Sequence, residues 1–517
     1  MIPRFLHQRL HAPRIGTCAT AILIALAAFR CGNAPDAAAK AEARIPRIQP
    51  DYSSIVIPPN IAPLNFRIDE PGARYSVRIS GRNGKSIVLH SGGPGIMIPQ
   101  RQWRSLLAAN AGGELRIAVG VRDRAGWRRF ADIVDTVAAA TIDPYLVYRK
   151  IPICQLWQYM GIYQRRVNDF SESIVLHNTE FGGGCVNCHS FRNNDPGNMD
   201  LQIRSDTFGT PMLLCQSGRG PRAVTTKTPF TSGRTGFTAW HPTADIIAFS
   251  INGFSMIHHF SYRETREVFD ESSDLALYMI DSEKVMIARA IAGPGRVETM
   301  PEWSRDGKFL YFCSGPQVSR RDYRSLRCDL MRIAWDPARR AFGKLDTVLC
   351  ADSAGGSITQ PRFSPDGRFL LFTVSEYSDF PIHQVHSDLH MMDMITGKHF
   401  RLSINSDRCQ AWHGWSSNGR WIVFNSKAMD GRFSRIFFSH VDSAGVASKP
   451  FVLPQRDPEI YFSSMLVYNV PELITRPIAV PARKFREAMM AFDKKRSLDA
   501  VASASAEEYR DEVMIAR

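Results

Sequence analysis

From about residue 230 onward one hydrophobic pattern recurs. It reads Trp240-HPTADIIAF, Trp303-SRDGKFLYF, Phe363-SPDGRFLLF and Trp415-SSNGRWIVF. Each copy is an aromatic residue, a turn containing Gly, Asp or Asn, and an alternating apolar strand that ends in Phe. Such turns suit hairpins, and the alternation buries one face of the strand. A second signature follows each copy: DLALYMID from Asp274, DLMRIAWD from Asp329, DLHMMDM from Asp388 and the weaker RIFFSHVD from Arg435. The spacings between the aromatic residues are 63, 60 and 52. The copies are therefore irregular, with insertions between strands. Repeated sheet units of this kind cannot bury their faces alone and must pack around an axis. A degenerate fifth copy is Asn194-DPGNMDLQIRS followed by Gly209-TPMLLC. The stretch Ile460-YFSSMLVYNVPEL has strand character and is placed to close the ring.

Upstream the pattern changes. SIVIPPN, ARYSVRISG, SIVLHSG, LRIAVGVRD and FADIVDTVA are short segments broken by Gly and Pro. They predict a small β-sandwich over residues 50–142, with Trp103 and Trp127 as core or sandwich-end aromatics. A bridge, residues 143–180, helical-looking from Pro152 to Phe170, leads to a five- or six-bladed propeller over 181–475. Residues 476–517 read as an amphipathic helix and a loose tail. The chain is thus expected to be all-β.

The first thirty residues differ from the rest. Arg4, Arg9 and Arg14 precede a twelve-residue apolar run from Cys18 to Phe29. The run is short for a membrane span, and its basic flank is that of a signal peptide, residues 1–31. Cys31 stands where a lipoprotein carries its lipidated cysteine, but Arg30 replaces the small residue that such signals require. Ala37-Ala38-Ala39 offers ordinary cleavage instead. Residues 32–49 then form a linker. The formal net charge of +14 includes Arg4, Arg9, Arg14 and Arg30. The remaining basic residues are scattered, with no stripe interleaved with aromatics. This pattern and the export signal argue against nucleic acid, and leave attraction to anionic lipid or to an acidic partner.

The chemistry lies in FGGGCVNCHSF. Cys185-Val186-Asn187-Cys188-His189 is the C-x-x-C-H pattern of covalent heme attachment. Two thiols two residues apart reach the two vinyl groups on one edge of a porphyrin, and the following histidine binds the iron. Gly182, Gly183 and Gly184 let the backbone pass close to a flat cofactor. Chance would give such a string in roughly half a percent of shuffled chains of this composition. A zinc site lacks its second ligand pair, and a thioredoxin-like pair lacks its α/β context. Cys185, Cys188 and His189 are therefore expected to hold one heme c, with His189 proximal to the iron. For the distal side the candidates are His258 and His259, with His383 next and Met199 or Met256 as thioether alternatives. An open sixth position is the remaining choice. His241 and His413 are disfavoured because they fall in a hairpin turn and on an inner strand. Among the other cysteines, Cys313 and Cys328 end and begin neighbouring strands and are candidates for a disulfide. No G-x-S-x-G elbow, H-E-x-x-H helix or phosphate loop competes.

The paired signatures resemble the TolB-like propeller repeat over four units, roughly residues 237–445. Nearly the whole chain also resembles exported bacterial proteins that join a TolB-like propeller to a single C-x-x-C-H motif. This resemblance rests on IDPYLVYRKIP, MGIYQRRVNDF, GCVNCHSF, WHPTADIIAFSIN, WSSNGRWIVFNSK and KPFVLPQRDPEIYF. It implies export to the periplasm or cell envelope, and TolB-like repeats imply a protein or envelope partner. The expectation from the sequence is a mono-heme c-type cytochrome that transfers electrons, with a redox or envelope protein as partner. The alternatives are a heme enzyme or sensor with an open sixth position, and a binding scaffold with a structural heme.

Overall fold

The computed structural model describes residues 39–152, 159–260, 263–288 and 290–502. The export signal, Cys31 and Cys154 lie outside the described residues.

The repeating pattern builds six four-stranded antiparallel sheets whose first strands lie side by side around an axis, a six-bladed propeller. In chain order, blade 2 spans Cys185–Arg192, Asp195–Arg204, Met212–Gln216 and Arg219–Val224. Blade 3 runs from Gly236 to Ile287, blade 4 from Arg296 to Leu349, blade 5 from Ser357 to Arg401 and blade 6 from Gln410 to Val452. Blade 1 is split. Its outer strands are Tyr145–Pro152, Gly161–Arg166 and Glu172–His177, and its innermost strand is Leu466–Ile474 from the other end of the chain. That strand pairs antiparallel with Tyr145–Pro152 and closes the ring. The bridge therefore supplies three strands, and Gly161–Arg166 is a strand within the stretch from Pro152 to Phe170 that was expected to be helical. Its first two strands are buried on both faces, with Leu146, Val147, Tyr148 and Ile162 fully buried.

The turn chemistry explains why the repeat has its sequence. In blade 4, Ser304 Oγ donates to Asp306 Oδ1 (2.6 Å) and accepts from the Phe309 amide (3.0 Å). Gly307 takes φ +71°, which a side chain disfavours. The same arrangement recurs at Ser364–Asp366 and Ser416–Asn418. In blade 3 His241 replaces the serine. Its Nδ1 accepts from the amides of Thr243 and Ala244, and its Nε2 contacts the Gly307 carbonyl of blade 4 at 3.1 Å. Arg305 reaches in the same way from blade 4 to the Phe363 carbonyl of blade 5 (2.9 Å).

The N-terminal unit has a seven-stranded sheet and a separate three-stranded sheet of Ile48–Gln49, Phe66–Ile68 and Gly95–Ile96. A helix, α1 (Gln100–Ala109), lies where the sequence reading placed only strands. It buries Trp103, Leu106 and Leu107, an i, i+3, i+4 stripe, and Trp103 Nε1 donates to the Ile61 carbonyl (3.1 Å). Trp127 is half-buried on a short strand, Gly126–Arg129. This unit shares a core with blades 5 and 6. Ser417 N to Asp143 Oδ2 (2.7 Å) and Lys449 Nζ to Asp51 Oδ2 (2.8 Å) fasten it there.

At the C-terminus, α2 (Ala482–Met490) buries Phe485 and Met489 against blade 2. The chain beyond it is no loose tail over its described part. Ala500–Ala502 adds a parallel strand to the edge of blade 3. Among the described residues, no helix is long and apolar enough to cross a membrane.

Candidate functional site

The six innermost strands share a defect, and the C-x-x-C-H segment sits on it. In blades 3 to 6 two residues of the inner strand face one residue of the next strand. The first of each pair has positive φ: Phe237 at +26°, Met300 at +54°, Gln360 at +55° and Trp412 at +50°. Val470 in blade 1 joins them at +50°. These are bulges with a left-handed residue, a costly conformation for side chains of this size. In blade 2 the corresponding pair is Asn187–Cys188, between Val186 and His189. In a regular strand, residues three apart point to opposite faces. The extra residue cancels that alternation, so Cys185 and Cys188 line the same cavity.

This cavity has a volume of about 150 Å³. Besides the two thiols its walls carry Met160, Phe254, Met256 and Phe380, with Arg149, Arg204 and Arg266 as cations. It shares Arg266, Ile382, His383 and Asn469 with an outer vestibule of about 520 Å³. Together the two are as large as ordinary cofactor sites. Cys185 Sγ lies 3.6 Å from Met160 Sδ. Burial pushes the pKa of both thiols up, and the nearby Arg149 and Arg204 charges pull it down.

His189 is 1% exposed and lines a narrower continuation of the channel with Cys188, Gln360, Arg362 and His413. Neither of its ring nitrogens makes a well-formed hydrogen bond among the described residues, although the backbone of Val147 and of Val470 lies close enough to interact with the ring. Burial, then the charges of Arg149 and Arg362, push its pKa down to about 3, so the ring is neutral. A buried imidazole whose nitrogens make only imperfect polar contacts is costly in a finished core, and a neutral imidazole is the form that binds metal. By contrast His413 and His241 are occupied. His413 Nε2 contacts the Leu371 carbonyl (3.2 Å) and its Nδ1 the Thr373 hydroxyl (3.4 Å).

The glycines before the motif also fit a flat group. Gly182, Gly183 and Gly184 have φ of +69°, +100° and +96°. A Cβ on Gly182 or Gly183 would meet nothing within 4 Å, while one on Gly184 would lie 2.5 Å from the Arg204 carbonyl. Open space beside two of them and close backbone approach at the third suit a cofactor that lies along the chain.

The distal candidates separate clearly. His258 and His259 do not line the cavity. The expected loop is instead a long hairpin, Ile246–His258 with Arg266–Met279, which carries them past the cavity rim. Phe254 and Met256 on that hairpin do reach the cavity. His258 is exposed, and His259 Nε2 lies 3.5 Å from Glu267 Oε1. His383 lines both cavity and vestibule, and its Nδ1 accepts from Arg266 Nε at 3.4 Å. Met199 is a core residue packed with Val186, Leu201 and Cys215. His386 is paired with Asp388 at 3.2 Å. Met160 and the three arginines escaped the sequence reading, because no local spacing marks residues that only the ring topology brings together. Cys313 and Cys328 share one buried apolar cluster as free thiols, so the expected disulfide is not formed.

No family model and no curated protein matches the chain. Solved structures of low similarity do. TolB from Acinetobacter baumannii is 11% identical with a TM-score of 0.41, covering 70% of this chain and 79% of its own. The β-propeller domain of the trilobed protease from Pyrococcus furiosus is 12% identical with a TM-score of 0.32, covering 73% and 98%. Hydrazine synthase from Kuenenia stuttgartiensis is 14% identical with a TM-score of 0.29, covering 50% and 64%.

Proposed function

We propose that the protein is an exported mono-heme c-type cytochrome of the periplasm or cell envelope that transfers electrons and docks its protein partner through the propeller. The observation that carries this reading is His189: a neutral imidazole, both nitrogens buried without a well-formed hydrogen bond, adjacent to a thiol that shares a cavity with a second thiol. Cys185 and Cys188 would hold heme c as thioethers and His189 would be the proximal ligand; the group when bound supplies a one-electron couple. The chain's own contribution is placement. The blade 2 bulge turns both thiols to one side, and Ile151, Met160 and Phe254 give that side of the cavity apolar walls. Arg149 and Arg204 supply positive charge at the same walls.

A second reading, a heme that binds an exogenous ligand as an enzyme or sensor, is favoured by His383. Its Nδ1 accepts from Arg266, so the ring's proton is on Nε2. In that tautomer Nε2 donates a hydrogen bond and does not bind iron. With His258 and His259 outside the cavity, this arrangement would favour an open sixth position.

Expression with heme-maturation machinery, followed by a pyridine hemochrome spectrum of the denatured protein, tests the cofactor. A c-type spectrum is expected; absence of covalent heme overturns the proposal. The ferric spin state then separates the readings: low spin supports electron transfer, and high spin supports ligand binding.

A further inference from the structure

The vestibule outside the cavity carries a charge surplus of its own. Two of its charges belong together: Lys427 Nζ lies 2.6 Å from Glu264 Oε1, and both are largely buried. Asp430 is used locally, its Oδ1 accepting from the amides of Arg432 and Phe433 at 2.8 Å. Four arginines remain: Arg263, Arg266, Arg408 and Arg432. Among the described residues, Arg263, Arg266 and Arg432 have no carboxylate within 4.0 Å. Arg408 has only the mostly exposed Asp407, at 3.7 Å. Burial and the neighbouring Arg149 charge lower the Arg266 pKa to about 10, against the pull of Glu264. Cations crowded on a concave wall repel one another, and an anion between them relieves that repulsion. The guanidinium fork matches carboxylates and oxyanions in a bidentate way.

We propose that this vestibule binds a small diffusible oxyanion or carboxylate, held by Arg266 and Arg408 and entering from solvent past Arg263 and Arg432. The inner cavity has Arg149 and Arg204 for the carboxylates of a cofactor, so the outer arginines are additional. The binding itself does not depend on the heme reading. If a heme is present, the anion lies next to its cavity, separated from it by Arg266 and His383.

Isothermal titration at low ionic strength and pH 7 tests the site, with inorganic phosphate, sulfate and succinate as probes. The mature chain is used in its heme-loaded form and as the Cys185→Ser/Cys188→Ser variant, so the result does not hinge on the cofactor. At least one probe is expected to bind both forms with a dissociation constant below about 1 mM, more weakly as salt rises. Arg408→Gln, near the vestibule mouth, should weaken binding about tenfold, as should Arg266→Gln, while the exposed Arg339→Gln leaves it unchanged. Arg408→Gln keeps the test usable if the more buried Arg266 variant fails to fold. No saturable binding by either form up to about 10 mM overturns the proposal. So does affinity unchanged in both arginine variants. Binding by the serine variant alone also overturns it, because the arginines would then serve the cofactor's own carboxylates.

Discussion

Replacing His189 by leucine in the protein made without heme should stabilise it. A buried histidine replaced by an apolar residue of similar size ordinarily breaks hydrogen bonds and costs stability. Here there is no well-formed bond to break, since both ring nitrogens are buried with only imperfect contacts to the backbone of Val147 and Val470. An unsatisfied buried polar group costs about 1–3 kcal/mol, so the variant should gain about that much at pH 7. The pH dependence sharpens the test. The ring's pKa falls from 6.5 to about 3 on folding, mainly through burial. Between these values the unfolded chain binds the extra proton, so stability is lost as pH falls below 6.5. At pH 5 the loss from this residue is about 2 kcal/mol, and leucine abolishes it. His413, also pushed down to about 3, contributes a similar acid sensitivity that persists in the variant. Urea unfolding of both heme-free proteins at pH 7 and pH 5 reads the effect. In the heme-loaded protein the sign should reverse, because leucine offers the iron no ligand. If His189→Leu destabilises the heme-free protein by several kcal/mol at both pH values, the imidazole is a packed structural residue and the ligand assignment loses its basis.

Other substitutions address the rest of the site. Cys185→Ser with Cys188→Ser should leave no heme on a denaturing, reducing gel stained for peroxidase activity. His383→Ala should change the affinity of the ferric heme for added cyanide or azide, whereas His258→Ala and His259→Ala, past the cavity rim, should not; equal effects from all three would refute the placement. Truncation before Leu466 removes the strand that closes blade 1 against Tyr145–Pro152 and should abolish cooperative unfolding, read by circular dichroism.

Much of the propeller was legible because its signals are local. The Ser304–Asp306–Gly307 turn is a short-range device, and the strand after it has period two. Blade 1 was not legible for the opposite reason. Its strands Tyr145–Pro152 and Leu466–Ile474 are joined only by ring closure, so neither carries a turn signature that points to the other. The helix α1 did leave a signal in Trp103, Leu106 and Leu107, but it is only ten residues long and stands among strand-like segments. Residues 253–260 were expected to form a loop, and the structure extends a hairpin through them instead. The ladder continues through His258, opposite Arg266, and moves both histidines outward.

The bulge explains how a short cofactor motif can lie on an inner propeller strand at all. A C-x-x-C pair on a regular strand would send its two sulfurs to opposite faces of the sheet. Five of the six inner strands already carry a left-handed residue at this level, from Phe237 to Val470, so the fold supplies the needed extra residue without a special insertion. In blade 2 the register step between Val186 and His189 occupies the same place. The cysteines thereby face the cavity, and His189 falls in line with Glu302, Arg362 and Glu472, the charged residues that follow the bulges of blades 4, 5 and 1. Those three residues pair with one another, Arg362 lying 3.7 Å from Glu302 and 3.3 Å from Glu472. His189 alone of these four forms no ion pair, so the ring's charge network leaves it free to serve the role proposed for it.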